Sequence, residues 1–221
     1  MAATASATTI HFKDGYAEAT SPNGEWHVTS NWTDEICKKT KALLCFDHNG
    51  PYTQPLVAPM LANAANYKIN SARERMVAGI SITRFAILDR TRVKVIGECG
   101  LEFSLDPDNL IKMKIDCTIH YDYQGKGIAT WLMNLLLREY LPAIKFPVYP
   151  QEQKNLPWNK KKASAVVDAS TVPVSALVHK DNIRSLRLMQ RYQFKGAEIK
   201  GAPSFTIYEF ISKQPVKVDS K

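Results

Sequence analysis

The chain has 221 residues, 45% of them hydrophobic, so we expect a single domain over residues 1–221 with one well-packed core. Lysine and arginine outnumber aspartate and glutamate by 29 to 21, and the net charge of +8 favours a polyanionic partner: a nucleotide cofactor, nucleic acid or an anionic membrane surface. The four cysteines form no CxxC pair and no cluster with histidine, which argues against a zinc site and a disulfide scaffold and indicates a reducing, cytoplasmic compartment.

The first third of the chain predicts one clear helix. Residues 1–9 lack the basic start and apolar core of a signal peptide and are expected to form a loose tail. Asn31 or Thr33 is suited to cap a helix that runs to about Phe46. Residues 55–75 suit a second helix, although their prolines leave its start open.

The next segment predicts three strands. The first runs from Met76 to about Leu88 and is rich in β-branched and aromatic residues. The second covers residues 93–103, and its alternation places Glu98 on a polar face. A turn at residues 106–109 leads to a third strand over residues 111–119, so the three form an antiparallel meander.

A glycine-rich turn follows the third strand and opens into an amphipathic helix. Gly125 and Gly127 permit successive backbone N–H groups to converge on an anion, and the positive end of the helix dipole adds to the attraction. The helix is predicted to end before Pro142. The turn therefore predicts a phosphate or pyrophosphate site. A dinucleotide-binding turn would need a third glycine or alanine where Thr130 stands.

The remaining chain predicts a long loop followed by regular structure. Residues 146–170 contain three prolines and a lysine run, and they are expected to form an insertion loop or lid. The other predicted elements are a strand over residues 172–178, a helix from Asn182 to about Tyr192, a last strand over residues 205–211 and a loose tail over residues 214–221.

Two motifs resemble the GNAT superfamily of acyl-CoA-dependent N-acyltransferases. The run Gln124-Gly125-Lys126-Gly127-Ile128-Ala129 matches the family signature Gln/Arg-x-x-Gly-x-Gly/Ala. Residues 176–185 resemble the family's later strand followed by Asn-x-x-Ser/Ala. The resemblance covers roughly residues 76–211, and residues 96–101 make it closest to the branch that acetylates protein N-termini and amino-glycosides.

This resemblance implies a fold and a cofactor site. The fold would be α/β (α+β), with a mixed, largely antiparallel central sheet, splayed central strands and helices on both faces. Acetyl-CoA would be the co-substrate, and no metal is required. The strand segment that would pair with the pantetheine arm is Cys117, Thr118 and Ile119. The turn that would hold the diphosphate is Gln124, Gly125, Lys126, Gly127, Ile128 and Ala129. Asn182 and Ser185, which share one face of a helix, would form hydrogen bonds with the pantetheine or the thiol. The alternative for Asn182 is a plain helix cap.

The catalytic residues depart from the family pattern. Many members carry a general-acid tyrosine seven residues after the asparagine, and Met189 stands there. Ser185 or Tyr192 is therefore the candidate acid. Glu98 is the first candidate base. The other candidate bases are Asp116, Glu102 and His120. Gln193 replaces the usual glycine at the end of the helix, which costs a residue suited to the left-handed conformation.

The expected function is transfer of an acetyl group from acetyl-CoA to a primary amine, by direct attack in a ternary complex. A non-catalytic acyl-CoA-binding regulator is the alternative, since the tyrosine is missing. No nucleic-acid partner is expected, because the strands lack interleaved aromatic and basic residues. No membrane partner is expected, because the longest apolar stretch is far shorter than the about 20 residues of a spanning helix. The acceptor is a small-molecule or peptide amine, the insertion favours a small molecule, and the protein is a monomer or homodimer.

Overall fold

The structure is a computed structural model. It describes residues 8–13, 16–45, 76–77, 80–105, 111–148, 153, 160, 162–163, 165–198 and 204–210. The predicted helix over residues 55–75, the turn at residues 106–109 and the tail at residues 214–221 lie outside the described residues.

Strands dominate the described chain. The strands are β1 (His11–Lys13), β2 (Tyr16–Thr20), β3 (Trp26–Thr29), β4 (Met76–Val77), β5 (Ile80–Asp89), β6 (Val95–Leu105), β7 (Ile111–Ile119), β8 (Lys145–Val148), β9 (Ala165–Asp168), β10 (Val174–His179), β11 (Lys195–Glu198) and β12 (Phe205–Phe210). The helices are α1 (Asp34–Cys45), α2 (Ile128–Asn134), which continues as a π-helix (Leu135–Tyr140) and a helical turn (Leu141–Ala143), and α3 (Ile183–Arg191). Among the described residues, 3₁₀ turns cover Tyr121–Tyr123 and Ala169–Thr171.

Ten strands form one mixed sheet. Nine of them follow the order β1-β2-β3-β5-β6-β7-β10-β12-β11, and β4 pairs with β5. The pairs β1–β2, β2–β3, β3–β5, β10–β12 and β11–β12 are antiparallel, whereas β7 and β10 are parallel. The β7–β10 register covers only Val174 opposite Met113 and Ser175 opposite Lys114. The later residues of β7 lie beyond this register, so the mixed, largely antiparallel sheet with splayed central strands is confirmed.

The chain divides into two compact units. The first comprises Met1–Glu74, Thr83–Cys99 and Cys117–Tyr140, and the second comprises Arg75–Ile82, Gly100–Asp116 and Leu141–Lys221. The single domain over residues 1–221 stays a prediction.

The first unit has helical segments on both faces of its strands. Tyr140 of the π-helix packs edge-on against Phe85, with ring centroids 5.1 Å apart, and its hydroxyl bonds Thr83 Oγ1 at 3.1 Å. Ala86 instead packs in a buried cluster with Trp32, which precedes α1, and Cys37 of α1. Because successive strand residues point to opposite faces, the π-helix and α1 cover opposite faces of β5.

The prediction of α1 is confirmed, whereas β1 to β3 were missed. Thr33 Oγ1 accepts from the Ile36 N–H at 3.3 Å, and α1 then begins with two acidic residues that suit its positive end. Strand β2 buries only Ala17 and Ala19 on its inner face. Small alanines give a weak period-two signal, which explains why sequence reasoning overlooked this strand.

One further strand was not predicted, and two predictions about element bounds need correction. Strand β11 was missed, because its residues include few strand formers. The helix expected to end before Pro142 continues through the helical turn Leu141–Ala143. The loop expected over residues 146–170 has strands at both ends, since β8 pairs with β9 from Lys145 opposite Asp168 to Val148 opposite Ala165.

Candidate functional site

A tightly held turn joins β7 to α2 in the first unit. His120 Nδ1 accepts from the Asp122 N–H at 3.3 Å and caps the 3₁₀ turn that follows β7. The side-chain amide of Gln124 reaches back and donates to the Ile119 carbonyl at 3.0 Å. Gln124 therefore fixes the end of the strand to the start of the glycine turn, a role that its side chain performs apart from any ligand.

Both glycines of the turn have left-handed backbone conformations. Gly125 has φ +78° and Gly127 has φ +85°, values that an L side chain rarely adopts. A Cβ built on either glycine would meet nothing within 4 Å. Glycine is therefore required at these positions by the left-handed backbone conformation and not by contacts with neighbouring atoms. The space beside the turn is open to a ligand.

Helix α2 begins directly after this turn and presents backbone donors. Its first intrahelical hydrogen bond joins the Trp131 N–H to the Gly127 carbonyl at 3.0 Å. The N–H groups of Ile128 and Ala129 come before that bond, so they have no acceptor within the helix. Residues 124–127 are exposed, whereas Ile128 is buried and anchors the helix start. Donors at an exposed helix start suit an anion such as a phosphate.

Two lysines place positive charge beside the turn. Lys126 Nζ lies 4.8 Å from the centre of the Tyr123 ring, and Lys94 Nζ lies 5.0 Å from the same ring. These cation–π contacts hold both ammonium groups near the turn, where they add to the attraction for an anion. Sequence reasoning did not find Lys94, because its proximity to Tyr123 depends on the pairing of distant segments.

The end of β7 carries the residues predicted for the cofactor arm. Cys117 is exposed, and Thr118 and Ile119 are partly exposed. Gly97 of β6 approaches this segment so closely that a Cβ on it would lie 2.5 Å from the Thr118 carbonyl oxygen. Only glycine fits at that position.

Glu98 does not lie on a polar face, and that expectation is wrong. Its side chain is 0% exposed and forms an ion pair at 2.8 Å with Arg84, which is 2% exposed. Both faces of β6 are buried from Val95 to Leu101, so alternation of polarity could not place Glu98 correctly. The partner was also missed, although an arginine within the apolar run of β5 was the signal that could have found it.

The alternative base candidates have different surroundings. His120 Nδ1 accepts from the Asp122 N–H at 3.3 Å and lies 3.7 Å from the Asp122 Oδ2, so this ring nitrogen is engaged within its own turn. Asp116 and Glu102 are partly exposed.

In the second unit, α3 carries the other predicted residues. Asn182 Oδ1 accepts from the Ser185 N–H at 3.1 Å, so Asn182 is the N-cap of α3. Asn182 therefore acts as a helix cap, and its predicted contact with the cofactor would be made by the side-chain amide nitrogen, which is a hydrogen-bond donor. Ser185 and Tyr192 are both partly exposed.

Solved structures of other proteins resemble the fold of this chain. No protein-family model matches the chain, and no curated protein matches it. A solved structure assigned to the GNAT-family acetyltransferases of Bordetella pertussis matches with a TM-score of 0.54 and 16% identity, over 91% of this chain and 98% of that one. A domain from Methanocaldococcus jannaschii matches with a TM-score of 0.53 and 17% identity, over 85% of this chain and 98% of the other.

The chain has the GNAT fold. Within this fold, the departures noticed in the sequence have structural counterparts in the second unit. Met189, which stands where the resemblance leads us to expect a tyrosine, is buried at 4% exposure. Gln193, which replaces a glycine, has φ +60°.

The GNAT helix α3 nevertheless ends in the usual way. The Phe194 N–H bonds the Met189 carbonyl and the Gln193 N–H bonds the Gln190 carbonyl, each at 3.0 Å. These two bonds form a Schellman motif whose left-handed position is occupied by glutamine.

The part of the chain that the structure describes lacks two kinds of feature. No group of three or more His, Cys, Asp or Glu side chains that could hold a metal ion occurs in this part of the chain. Among the helices of the same residues, none has the length and apolar character needed to cross a membrane.

Proposed function

We propose that the protein is an N-acetyltransferase that transfers an acetyl group from acetyl-CoA to a primary amine, by direct attack in a ternary complex. The observation that carries this proposal is the turn from Gln124 to Ala129. In a GNAT fold it combines two left-handed glycines, an exposed helix start and two nearby ammonium groups. Each of these features favours a diphosphate group.

The described residues fit acetyl-CoA. A Cβ at Gly125 or Gly127 would project into open space, so a bulky anion has room to approach the backbone donors. The proposed ligands of the diphosphate are the N–H groups of residues 124–129. The backbone of residues 117–119 lies beyond the short β7–β10 register and is proposed to pair with the pantetheine arm. Acetyl-CoA supplies the thioester whose acyl group is transferred.

In the second unit, two residues are proposed to contact the cofactor. Asn182 uses its carbonyl oxygen to cap α3, which leaves its amide nitrogen as the group that would donate to the ligand. Ser185 is partly exposed one helical turn further on and would contribute its hydroxyl.

The transfer requires a base for the amine and an acid for the departing thiolate. Glu98 remains the proposed base, and its buried carboxylate is oriented by the ion pair with Arg84. Ser185 or Tyr192 is the proposed acid. Each can be replaced without touching the glycine turn.

A direct assay tests the proposal. The purified protein is mixed with acetyl-CoA and a broad panel of small-molecule and peptide amines, and released thiol is followed with a chromogenic disulfide. We expect thiol release that depends on an amine and is lost in Gly127→Trp. Thiol release that never exceeds the amine-free background, in a protein that binds acetyl-CoA, would overturn the enzyme assignment.

The acceptor class can be tested through the insertion. Val148 and Ala165 are paired neighbours of β8 and β9, so residues 149–164 can be replaced by a two-residue Asn-Gly turn without removing either strand. We propose that the removed segment helps to bind a small-molecule acceptor. The shortened protein should then show a raised KM for the acceptor and unchanged acetyl-CoA binding. A loss of acetyl-CoA binding would contradict the proposed role of this segment in binding the acceptor.

A second candidate function is a non-catalytic acyl-CoA-binding regulator. The observation that favours it is Met189, which is buried where many GNAT enzymes carry the general-acid tyrosine. Tight acetyl-CoA binding together with no turnover on any amine would support this alternative. Restoration of turnover by Met189→Tyr would show that the missing acid is the cause.

A further inference from the structure

Two cysteines of the first unit lie on neighbouring strands. Cys99 belongs to β6 and is 1% exposed, whereas Cys117 belongs to β7 and is exposed. Both are thiols in the structure. Neither contributes a side chain to the proposed acetyl transfer.

The register of β6 and β7 follows from one backbone hydrogen bond. The His120 N–H donates to the Ile96 carbonyl at 2.8 Å, so these two residues are opposite each other. Three residues along β6 and three back along β7 bring Cys99 opposite Cys117. The far ends of the two strands, Leu105 and Ile111, each lie six residues from these cysteines, as that register requires.

An independent contact agrees with this register. A Cβ on Gly97 would lie 3.3 Å from the Cα of Ile119. In the register counted above, these two residues are directly opposite each other. Gly97 therefore lies against residues 118 and 119, as this register requires.

The geometry of the pair suits a disulfide. Antiparallel pairs alternate between hydrogen-bonded and non-hydrogen-bonded, and the Ile96–His120 pair is hydrogen-bonded. Cys99 and Cys117 come three steps later and form a non-hydrogen-bonded pair, in which Cα atoms are about 4.5 Å apart. Disulfides need Cα atoms about 4.4–6.8 Å apart. Opposite residues also point to the same face of the sheet.

We propose that Cys99 and Cys117 are a redox-active pair that forms a reversible disulfide. The exposed Cys117 thiolate attacks an oxidised low-molecular-weight disulfide, such as oxidised glutathione, and releases one reduced thiol as a mixed disulfide forms. The Cys99 thiolate then attacks the Cys117 sulfur and releases the second reduced thiol. Two protein thiols are oxidised, one external disulfide is reduced, and the two protons pass to the departing thiolates.

The different exposures of the two cysteines define their roles. An external disulfide can reach Cys117 but not Cys99, whose side chain is covered. Cys99 therefore acts as the resolving thiol. The disulfide would link β6 to the end of β7, where the proposed cofactor arm begins, but its formation does not depend on the acetyltransferase assignment.

The experiment treats the native chain with oxidised glutathione, blocks the remaining thiols by alkylation and maps the linked peptides by mass spectrometry. We expect the protein to lose the mass of two hydrogen atoms and to yield a Cys99–Cys117 linked peptide, both reversed by a dithiol reductant. Cys37→Ser is the matched control, since Cys37 is also buried and should not affect the link. In Cys99→Ala the mixed disulfide on Cys117 should accumulate.

Two results would overturn the proposal. One is a native chain that retains glutathione on Cys117 and never resolves it. The other is a linked peptide that joins Cys117 to a different cysteine. Both results are read on the native chain, so they remain decisive even if Cys99→Ala does not fold.

Discussion

Removal of one partner from the buried Arg84–Glu98 pair should strongly destabilise the protein. The two side chains are 2% and 0% exposed and meet at 2.8 Å, so Glu98→Gln leaves a buried guanidinium without its carboxylate. Breaking a buried pair in this way costs about 3–5 kcal/mol. For a chain of this size, a melting temperature falls about 2–4 °C per kcal/mol, so the expected decrease is about 6–20 °C.

The assay is thermal and urea denaturation of the native protein and three variants. Glu98→Gln should be strongly destabilised, whereas the double variant Arg84→Met with Glu98→Leu should recover most of the loss, because apolar replacement of a buried pair is often neutral. Glu35→Gln is the control, since it breaks an exposed pair with Lys39 and should leave the melting temperature unchanged. A Glu98→Gln protein within about 1 kcal/mol of native would refute the reasoning about this pair.

The same double variant separates a structural role of Glu98 from a catalytic one. If Glu98 is the base, the stable double variant should bind acetyl-CoA and yet release no thiol above background with an amine. Turnover close to that of the native protein would show that Glu98 only supports the fold. The single variant cannot decide this question, because its loss of activity would combine instability with lost chemistry.

Three further perturbations have defined outcomes. Gln193→Gly should raise stability by about 0.5–1 kcal/mol in urea denaturation, because glycine relieves the left-handed φ of +60°, and a lower stability would contradict the strain. Gly125→Ala and Gly24→Ala introduce similar strain at φ +78° and +72° with no neighbour within 4 Å, so both should cost about 1 kcal/mol. Of the two, only Gly125→Ala should weaken acetyl-CoA binding, by about tenfold in titration calorimetry. Equal weakening by both variants would contradict the assignment of the turn at residues 124–129 as the diphosphate site. Burial, followed by the charge of Arg92, lowers the pKa of His27, so the folded state holds it neutral. The unfolded state binds the proton first, and stability should fall as the pH drops below about 6.5; His27→Gln should flatten this dependence in melting curves, and an unchanged slope would contradict it.

The sequence predicted the elements that have strong local signals. The meander from β5 to β7 has long β-branched runs, and α1 and α3 have polar caps whose side chains bond the backbone as expected. The glycine turn was also predictable, because its two left-handed residues are positions that only glycine adopts easily. These features depend on residues close together in the chain.

Features that depend on distant pairing could not be predicted. The short strand β2 has no pattern beyond two inward alanines, and its place in the sheet comes from pairing with β1 and β3. Glu98 is buried because both faces of β6 are covered by other parts of the protein. The alternation of polar and apolar residues along one strand cannot predict that both of its faces are buried. The same reason explains why Arg84 and Lys94 were missed, since each meets its partner only after the strands assemble.

The most direct test of the central claim is a thermal-shift titration with acetyl-CoA. Ligand at a hundredfold excess over its dissociation constant should stabilise the native protein by about 2.7 kcal/mol, which corresponds to about 5–10 °C. Gly24→Trp should retain this shift, whereas Gly127→Trp should lose it, because its side chain would occupy the open space beside the turn. The account predicts that pattern. No shift in the native protein, or an undiminished shift in Gly127→Trp, would contradict the assignment of this turn as the acetyl-CoA site.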